Sequence, residues 1–178
     1  CLYCLVPGRE GELHEYRDFA QGHIIQDNNI LACSHEHQER VYAMLRQQKQ
    51  AAIFSGGLSA HLVDDWVAEQ LSTLRIAQAF FACDTDQNLP ALKRARALLP
   101  FLNRDKLRCY VLLGYGGESL AVGIARLERV WEIGYVPFAQ LYQPPNKWID
   151  YPHEWRDTAR TWSRPAATKA LMGTREAP

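Results

Sequence analysis

From about residue 23 onward, short apolar runs alternate with stretches in which apolar residues recur at helical spacing. Residues 23–33 (HIIQDNNILAC) predict a strand that runs into a polar turn at Asp27, Asn28 and Asn29. Ser34 is an N-cap for a helix through Gln48, with Val41, Met44 and Leu45 on its inner face. Residues 51–55 (AAIFS) predict a second strand closed by Gly56 and Gly57. A helix follows, with Leu62, Trp66, Val67, Gln70, Leu71 and Leu74 at mostly helical spacing. The third strand is 75–83 (RIAQAFFAC), with a polar turn at 84–88. Pro90 falls in the first turn of the next helix, where proline is tolerated, and Leu92, Ala95, Leu98, Leu99 and Leu102 form its apolar stripe. Residues 107–113 (LRCYVLL) form the fourth strand, and 114–118 turn it into a helix carrying Leu120, Ile124, Leu127 and Trp131. Residues 136–142 (VPFAQLY) form the last strand, and 143–146 end it.

Five strands interleaved with four helices predict an α/β fold: a parallel sheet with right-handed crossovers. The strands are apolar almost throughout, the pattern expected of strands covered on both faces. Glycines and polar residues gather where strands end and helices begin, the edge at which such folds bind ligands. An open, partial barrel and a doubly wound sheet both fit this alternation. The tail from Pro144 differs, with Trp148, Tyr151, Trp155 and Trp162 set among charges and prolines. Around 154–163 it suits a short helix, so the chain divides into a core over 1–145 and a helical, aromatic C-terminal cap over 146–178.

Composition narrows the function. The 178 residues carry 20 basic and 20 acidic side chains, a net charge of zero, so there is no electrostatic footprint for nonspecific nucleic-acid or membrane-surface binding. No run is long and apolar enough to span a bilayer, and no signal-peptide pattern is present. Of the five cysteines, Cys33, Cys83 and Cys109 lie in or beside apolar runs and read as small buried hydrophobes. The odd count argues against a disulfide scaffold, and cytoplasm is the expected compartment. The sequence opens with Cys, at its most informative motif, which leads us to expect a fragment.

That motif is Cys1-Leu2-Tyr3-Cys4, a CxxC whose thiolates can bind one soft metal centre, zinc or iron–sulfur. In isolation it equally fits a redox dithiol, half a zinc site or two unrelated thiols. His35 and His37 are two apart on a helix and point to different faces, so they cannot chelate together. No Pro-Cys-x-x-Cys follows them, and neither a GxSxG elbow nor a GxGxxG fingerprint is present.

The surroundings of the CxxC add a resemblance. CLYCLVPGREGE resembles the second half of the cluster loop CxxxCxφC of the radical S-adenosylmethionine (SAM) superfamily, with Tyr3 in the aromatic place. IIQDNNIL is similar to that family's second strand and the motif binding the SAM amino group, and IFSGGLSAHLV to its third strand. FFACDT, CYVLLGYGGES and VPFAQLYQP resemble the fourth, fifth and sixth strands in order. The resemblance covers roughly residues 1–145. Two departures stand out: the first cluster cysteine and first strand would precede residue 1, and Asp27-Asn28-Asn29 replace the usual Gly-Gly-Glu.

The resemblance implies a partial (β/α)6 barrel of the TIM-like kind, with its first strand missing. It implies a [4Fe-4S] cluster with Cys1 and Cys4 among its ligands, and reductive cleavage of SAM to a 5′-deoxyadenosyl radical. The electron would come from an external donor such as flavodoxin or ferredoxin. Asp27, Asn28 and Asn29 would meet the amino-acid end of SAM, and Asp84 its ribose. Tyr3, through its backbone, and the turn beginning Gly114-Tyr115 would face the adenosine. Each residue also has a plainer reading: Asp27–Asn29 and Asp84 as turn formers, the glycines as tight turns, and Glu118 as a helix-terminus acid without catalytic duty. The family spans methylthiolation, methylation, rearrangement and cleavage, so the resemblance implies an enzyme class and not one substrate. The rival class is a non-catalytic α/β domain whose CxxC binds structural zinc or nothing.

Overall fold

Parallel strands need crossovers, and each crossover here follows from local sequence. The computed structural model describes residues 6–176. A short helix α1 (Val6–Glu10) precedes a meandering segment and strand β1 (Ile24–Ile25). Then come α2 (His35–Gln47), β2 (Ala52–Phe54), α3 (Asp65–Ser72), β3 (Ile76–Ala82), α4 (Leu89–Leu98), β4 (Leu107–Leu113), α5 (Leu120–Ile133) and β5 (Val136–Leu141). Two helices, α6 (His153–Trp162) and α7 (Pro165–Glu176), complete the chain.

Capping sets the helix starts. Ser34 accepts a hydrogen bond from the His37 amide at 3.2 Å, and Asp64 accepts one from the Val67 amide at 2.8 Å. The second cap explains why α3 begins only at Asp65, with Ala60–Leu62 forming a separate 3-10 turn. The expected strand over 23–33 is cut to two residues. The Asp27–Asn29 turn chemistry prevails there, and Ile30–Ala32 closes into a 3-10 turn with Ile30 and Leu31 buried.

All four strand pairings are parallel, and the spatial order is β1-β2-β3-β4-β5. Every crossover therefore moves one place in the same direction, and right-handed connections then put the intervening helices on one face. The reversal of order that defines a doubly wound sheet is absent among the described residues. The architecture is a one-way-wound parallel α/β sheet, compatible with a partial α/β barrel.

The sheet's two faces differ. Phe54, Ala79, Phe81, Cys109, Val111 and Leu113 point to the helix side and are fully buried. There Phe81 meets Tyr135 edge-on at 5.3 Å. Burying a large apolar side chain completely contributes about 1.5–3 kcal/mol, so this face dominates the stability. The alternate residues Ile53, Gln78, Phe80, Arg108, Tyr110, Leu112 and Phe138 stay partly exposed, although Val136 is buried. The expectation of strands covered on both faces is corrected: the helices account for one face, and the other is half covered.

The two edges also differ. The Ser163 hydroxyl, at the end of α6, is shared between the carbonyls of Ala139 (2.8 Å) and Ala159 (2.7 Å), and α6 and α7 pack on β5. Helices thus cover that edge, a common protection. Trp162 and Met172 carry these helices into the main core. On the far side, β1 uses the carbonyls of His23 and Ile25 to accept from the amides of Ile53 and Ser55, and no described strand pairs with its outer edge.

Candidate functional site

The parallel order collects the ends of all five strands at one carboxyl edge. Ser55 and Gly56 both donate their amides to the Ile25 carbonyl, at 2.9 and 3.2 Å, folding the β2 turn over the end of β1. A Cβ on Gly56 would lie 2.0 Å from the Asp27 carbonyl oxygen, so only glycine permits this approach. The Leu58 amide donates to the Phe80 carbonyl at 2.7 Å, drawing the same loop toward β3. Asn29 Oδ1 accepts from the Ser59 amide at 3.3 Å and stitches the β1 and β2 turns together.

These constraints leave a cavity of about 290 Å³ lined by Asn28, Asn29, Gly57, Ser59, His61, Asp84, Asn88 and Tyr110, among others. Asp84 lines this cavity just before a capping box formed by Thr85 and Asn88, with the Thr85 amide and hydroxyl both 3.2 Å from Asn88 Oδ1. The Tyr110 hydroxyl is 3.5 Å from the Ser55 carbonyl. Burial raises the Tyr110 pKa, and the nearby Arg108 charge partly opposes it.

A larger groove of about 920 Å³ lies on the other side of the same turn. Val6, Glu10, Leu13, Phe19, Met44 and Asp27 are among its lining residues, and Asn28 and Asn29 border both spaces. Asn28 Nδ2 donates to Glu10 Oε2 at 2.6 Å, tying the segment that follows the CxxC to the sheet edge. Asn28, Asn29 and Asp84 are thus brought to one cavity, while Asp27 faces only the larger groove.

Gly114 and Tyr115 occupy a separate corner. A Cβ on Gly114, whose φ is 84°, would come within 2.5 Å of the Tyr151 hydroxyl and 2.9 Å of its ring. Tyr151 donates to the Tyr142 carbonyl at 2.8 Å, and Tyr115 stands edge-on to Tyr142 at 5.1 Å. Neither Gly114 nor Tyr115 lines the 290 Å³ cavity. Cys1, Tyr3 and Cys4 lie outside the described residues.

One cluster was not foreseen from the sequence. Arg126 is only 4% exposed, and its Nε donates to Asp86 Oδ1 at 2.9 Å. Its Nη1 donates to the Leu112 carbonyl (2.8 Å) and Glu118 Oε1 (3.2 Å), and its Nη2 pairs with Glu118 Oε2. Glu118 also accepts from the Gly114 amide at 3.0 Å, so Arg126 braces the turns after β3 and β4. Burial works to raise the Asp86 pKa, but Arg126 and then Arg129 outweigh it and hold the carboxyl below its usual value. Glu118 therefore braces these turns through Arg126 and the Gly114 amide. The signal available was an arginine three positions after Gly123 and four before Val130, on the same face of the helix as these buried residues.

His35 stacks on Trp66 at 3.9 Å, while His37 contacts Phe19 edge-on at 5.8 Å, so the two histidines do point apart. Cys33, Cys83 and Cys109 are buried free thiols, as their apolar settings imply. Among the described residues no group of three or more His, Cys, Asp or Glu could hold a metal ion. No described helix is long and apolar enough to cross a membrane. No protein-family model matches the chain, nor does any curated protein or solved structure.

Proposed function

We propose that the chain is the core of a radical SAM enzyme, working at the carboxyl edge of a partial parallel barrel in the cytoplasm. The observation that carries this reading is the hydrogen bond from Asn28 to Glu10. It brings the segment just after Cys1-Leu2-Tyr3-Cys4 against the turn that the resemblance assigns to SAM. The donor set suits that ligand. Asn28 Oδ1 and Asn29 Nδ2 have no hydrogen-bond partner among the described residues and can meet an ammonium and a carboxylate. Asp84, which lines the same cavity, suits a ribose diol.

On this reading Cys1 and Cys4 would be ligands of a [4Fe-4S] cluster, which when bound would supply the electron for cleaving the SAM sulfonium. The chain's own contribution is placement. Gly56 lets the β2 turn close on Asp27, Asn29 fixes that turn through Ser59, and the Thr85–Asn88 box sets Asp84. Flavodoxin or ferredoxin fits as the external electron donor.

The test uses the natural gene product, purified without oxygen and reconstituted with iron and sulfide. Cluster absorbance near the visible charge-transfer bands and formation of 5′-deoxyadenosine are expected. Folded protein that lacks both, or that holds stoichiometric zinc without labile sulfide, overturns the proposal in favour of a structural domain.

A further inference from the structure

We propose that the half-covered face of the sheet binds a small ligand with an anionic group and a flat apolar body, Arg108 taking the anion and the Phe80–Tyr110–Phe138 ladder the body. Arg108 is the second residue of β4 and sits in register between Phe80 and Val136, flanked by apolar side chains. Its Nε is buried and has no hydrogen-bond partner among the described residues. The one carboxylate acting on it, Asp105, is already engaged with Lys169 at 2.6 Å. Burial pulls the guanidinium pKa below its ordinary value, yet arginine cannot escape by losing its proton as lysine can. A buried Nε–H left without an acceptor is costly unless something completes it, and the guanidinium fork matches carboxylate and phosphate oxygens two at a time.

The body of the ligand follows from the neighbouring rings. Phe80 and Tyr110 stack at 5.0 Å with planes 24° apart, and Phe138 closes on Tyr110 edge-on at 5.6 Å. All three remain partly exposed and present aromatic surface to a planar group. Tyr110 belongs both to this ladder and to the 290 Å³ cavity beside Asp84. Two residues along a strand span about 7 Å, so an anion held at Arg108 extends its body to the carboxyl edge. Among the described residues Arg108 is the only charged strand residue on that face, which suits a small molecule with a single anionic end better than a polyanion. The link to a reaction rests on the function proposed above, with this ligand as its substrate class; the binding itself does not.

The experiment titrates the chain with 3-phenylpropanoate, 2-phenylethyl phosphate and the uncharged 3-phenylpropan-1-ol, following the Arg108 Nε–H and Tyr110 ring signals by NMR. At least one anion is expected to bind about tenfold more tightly than the alcohol and to shift the Arg108 signal. Comparing the two anions distinguishes a carboxylate from a phosphate ligand. Arg108→Gln should bring the anions down to the affinity of the alcohol. Arg108→Lys, which keeps the charge, should retain part of the preference even if the glutamine variant folds poorly. Anions that bind no better than the alcohol, or anion binding unchanged in a folded Arg108→Gln variant, overturn the proposal. No iron, sulfide or SAM is present in this titration, so its failure is separate from failure of the radical SAM reading.

Discussion

Replacing Arg126 by methionine should cost more stability than any other single change at the sheet edge. The guanidinium is almost fully buried and serves Asp86, Glu118 and the Leu112 carbonyl together. Its partners are not equally vulnerable. Asp86 is 45% exposed and keeps Arg129 at 2.8 Å, so its loss is small. Glu118 is 14% exposed and would be left as a desolvated carboxylate with only the Gly114 amide to support it. Orphaning one member of a buried pair costs about 3–5 kcal/mol, and the residual exposure of Glu118 sets the expected loss near the lower figure, about 3 kcal/mol. For a chain of this size that corresponds to a fall in Tm of roughly 6–12 °C.

The same argument predicts that Glu118→Gln relieves the damage. In the Arg126→Met background the charge left behind is removed, so the double variant should be more stable than Arg126→Met alone by about 1 kcal/mol or more. Urea unfolding followed by circular dichroism compares wild type with both variants. pH adds a second check. The folded pKa of Asp86 is depressed, so its share of stability is present above the ordinary carboxylate range and is lost as pH falls through the folded value. The gap between wild type and Arg126→Met should therefore narrow in acid. A loss under about 1 kcal/mol for Arg126→Met, or a double variant weaker than the single one, would refute the bracing role.

Three further outcomes are expected. Gly56→Ala should destabilise by about 2–3 kcal/mol, since its Cβ has no space beside the Asp27 carbonyl, and urea midpoints check this. Tyr151→Phe should lose about 1 kcal/mol with its bond to Tyr142; Gly114→Ala should lose more, and less than additively once Tyr151 is truncated. Burial pushes the Cys83 thiol up to about 12 and Cys109 well above its usual value, so neither should react with iodoacetamide at pH 8 until the chain unfolds; mass spectrometry of labelled peptides reads this directly.

Some elements were written plainly in the sequence, and others were not. β3, β4 and β5 combine continuous apolar runs with clear turns, and their observed bounds differ from the expected ones by a residue at most at either end. The helix α7 left almost no pattern: only Thr168 and Met172 of its described residues are buried, and its sequence includes Gly173, a poor helix former. Its place comes from tertiary packing on β5, which periodicity does not record. Arg126 was hidden for the opposite reason, because a charge beside an apolar stripe ordinarily points to solvent. Asn28, Asn29 and Asp84 converge because topology places the ends of parallel strands together, whatever the local motif. Gly114 shares that edge and yet is taken by Tyr151 from the tail, a contact some forty residues away that no local reading contains.

The run LRCYVLL shows where pattern and environment part. Its near-continuous hydrophobicity argues for burial on both faces, and half of it obeys: Leu107, Cys109, Val111 and Leu113 are fully buried. The interleaved Arg108 and Tyr110 break the apolar run at the two positions that turn out to share the less covered face. Arg108 is partly exposed, yet its Nε is buried without a partner among the described residues and its neighbours in register offer it no side-chain acceptor. A strand with both faces sealed by helices would select a hydrophobe at residue 108. Residue 108 instead carries a guanidinium beside the Phe80–Tyr110–Phe138 ladder, the pairing that the proposed anionic ligand would meet and that the titration with phenyl-bearing anions tests.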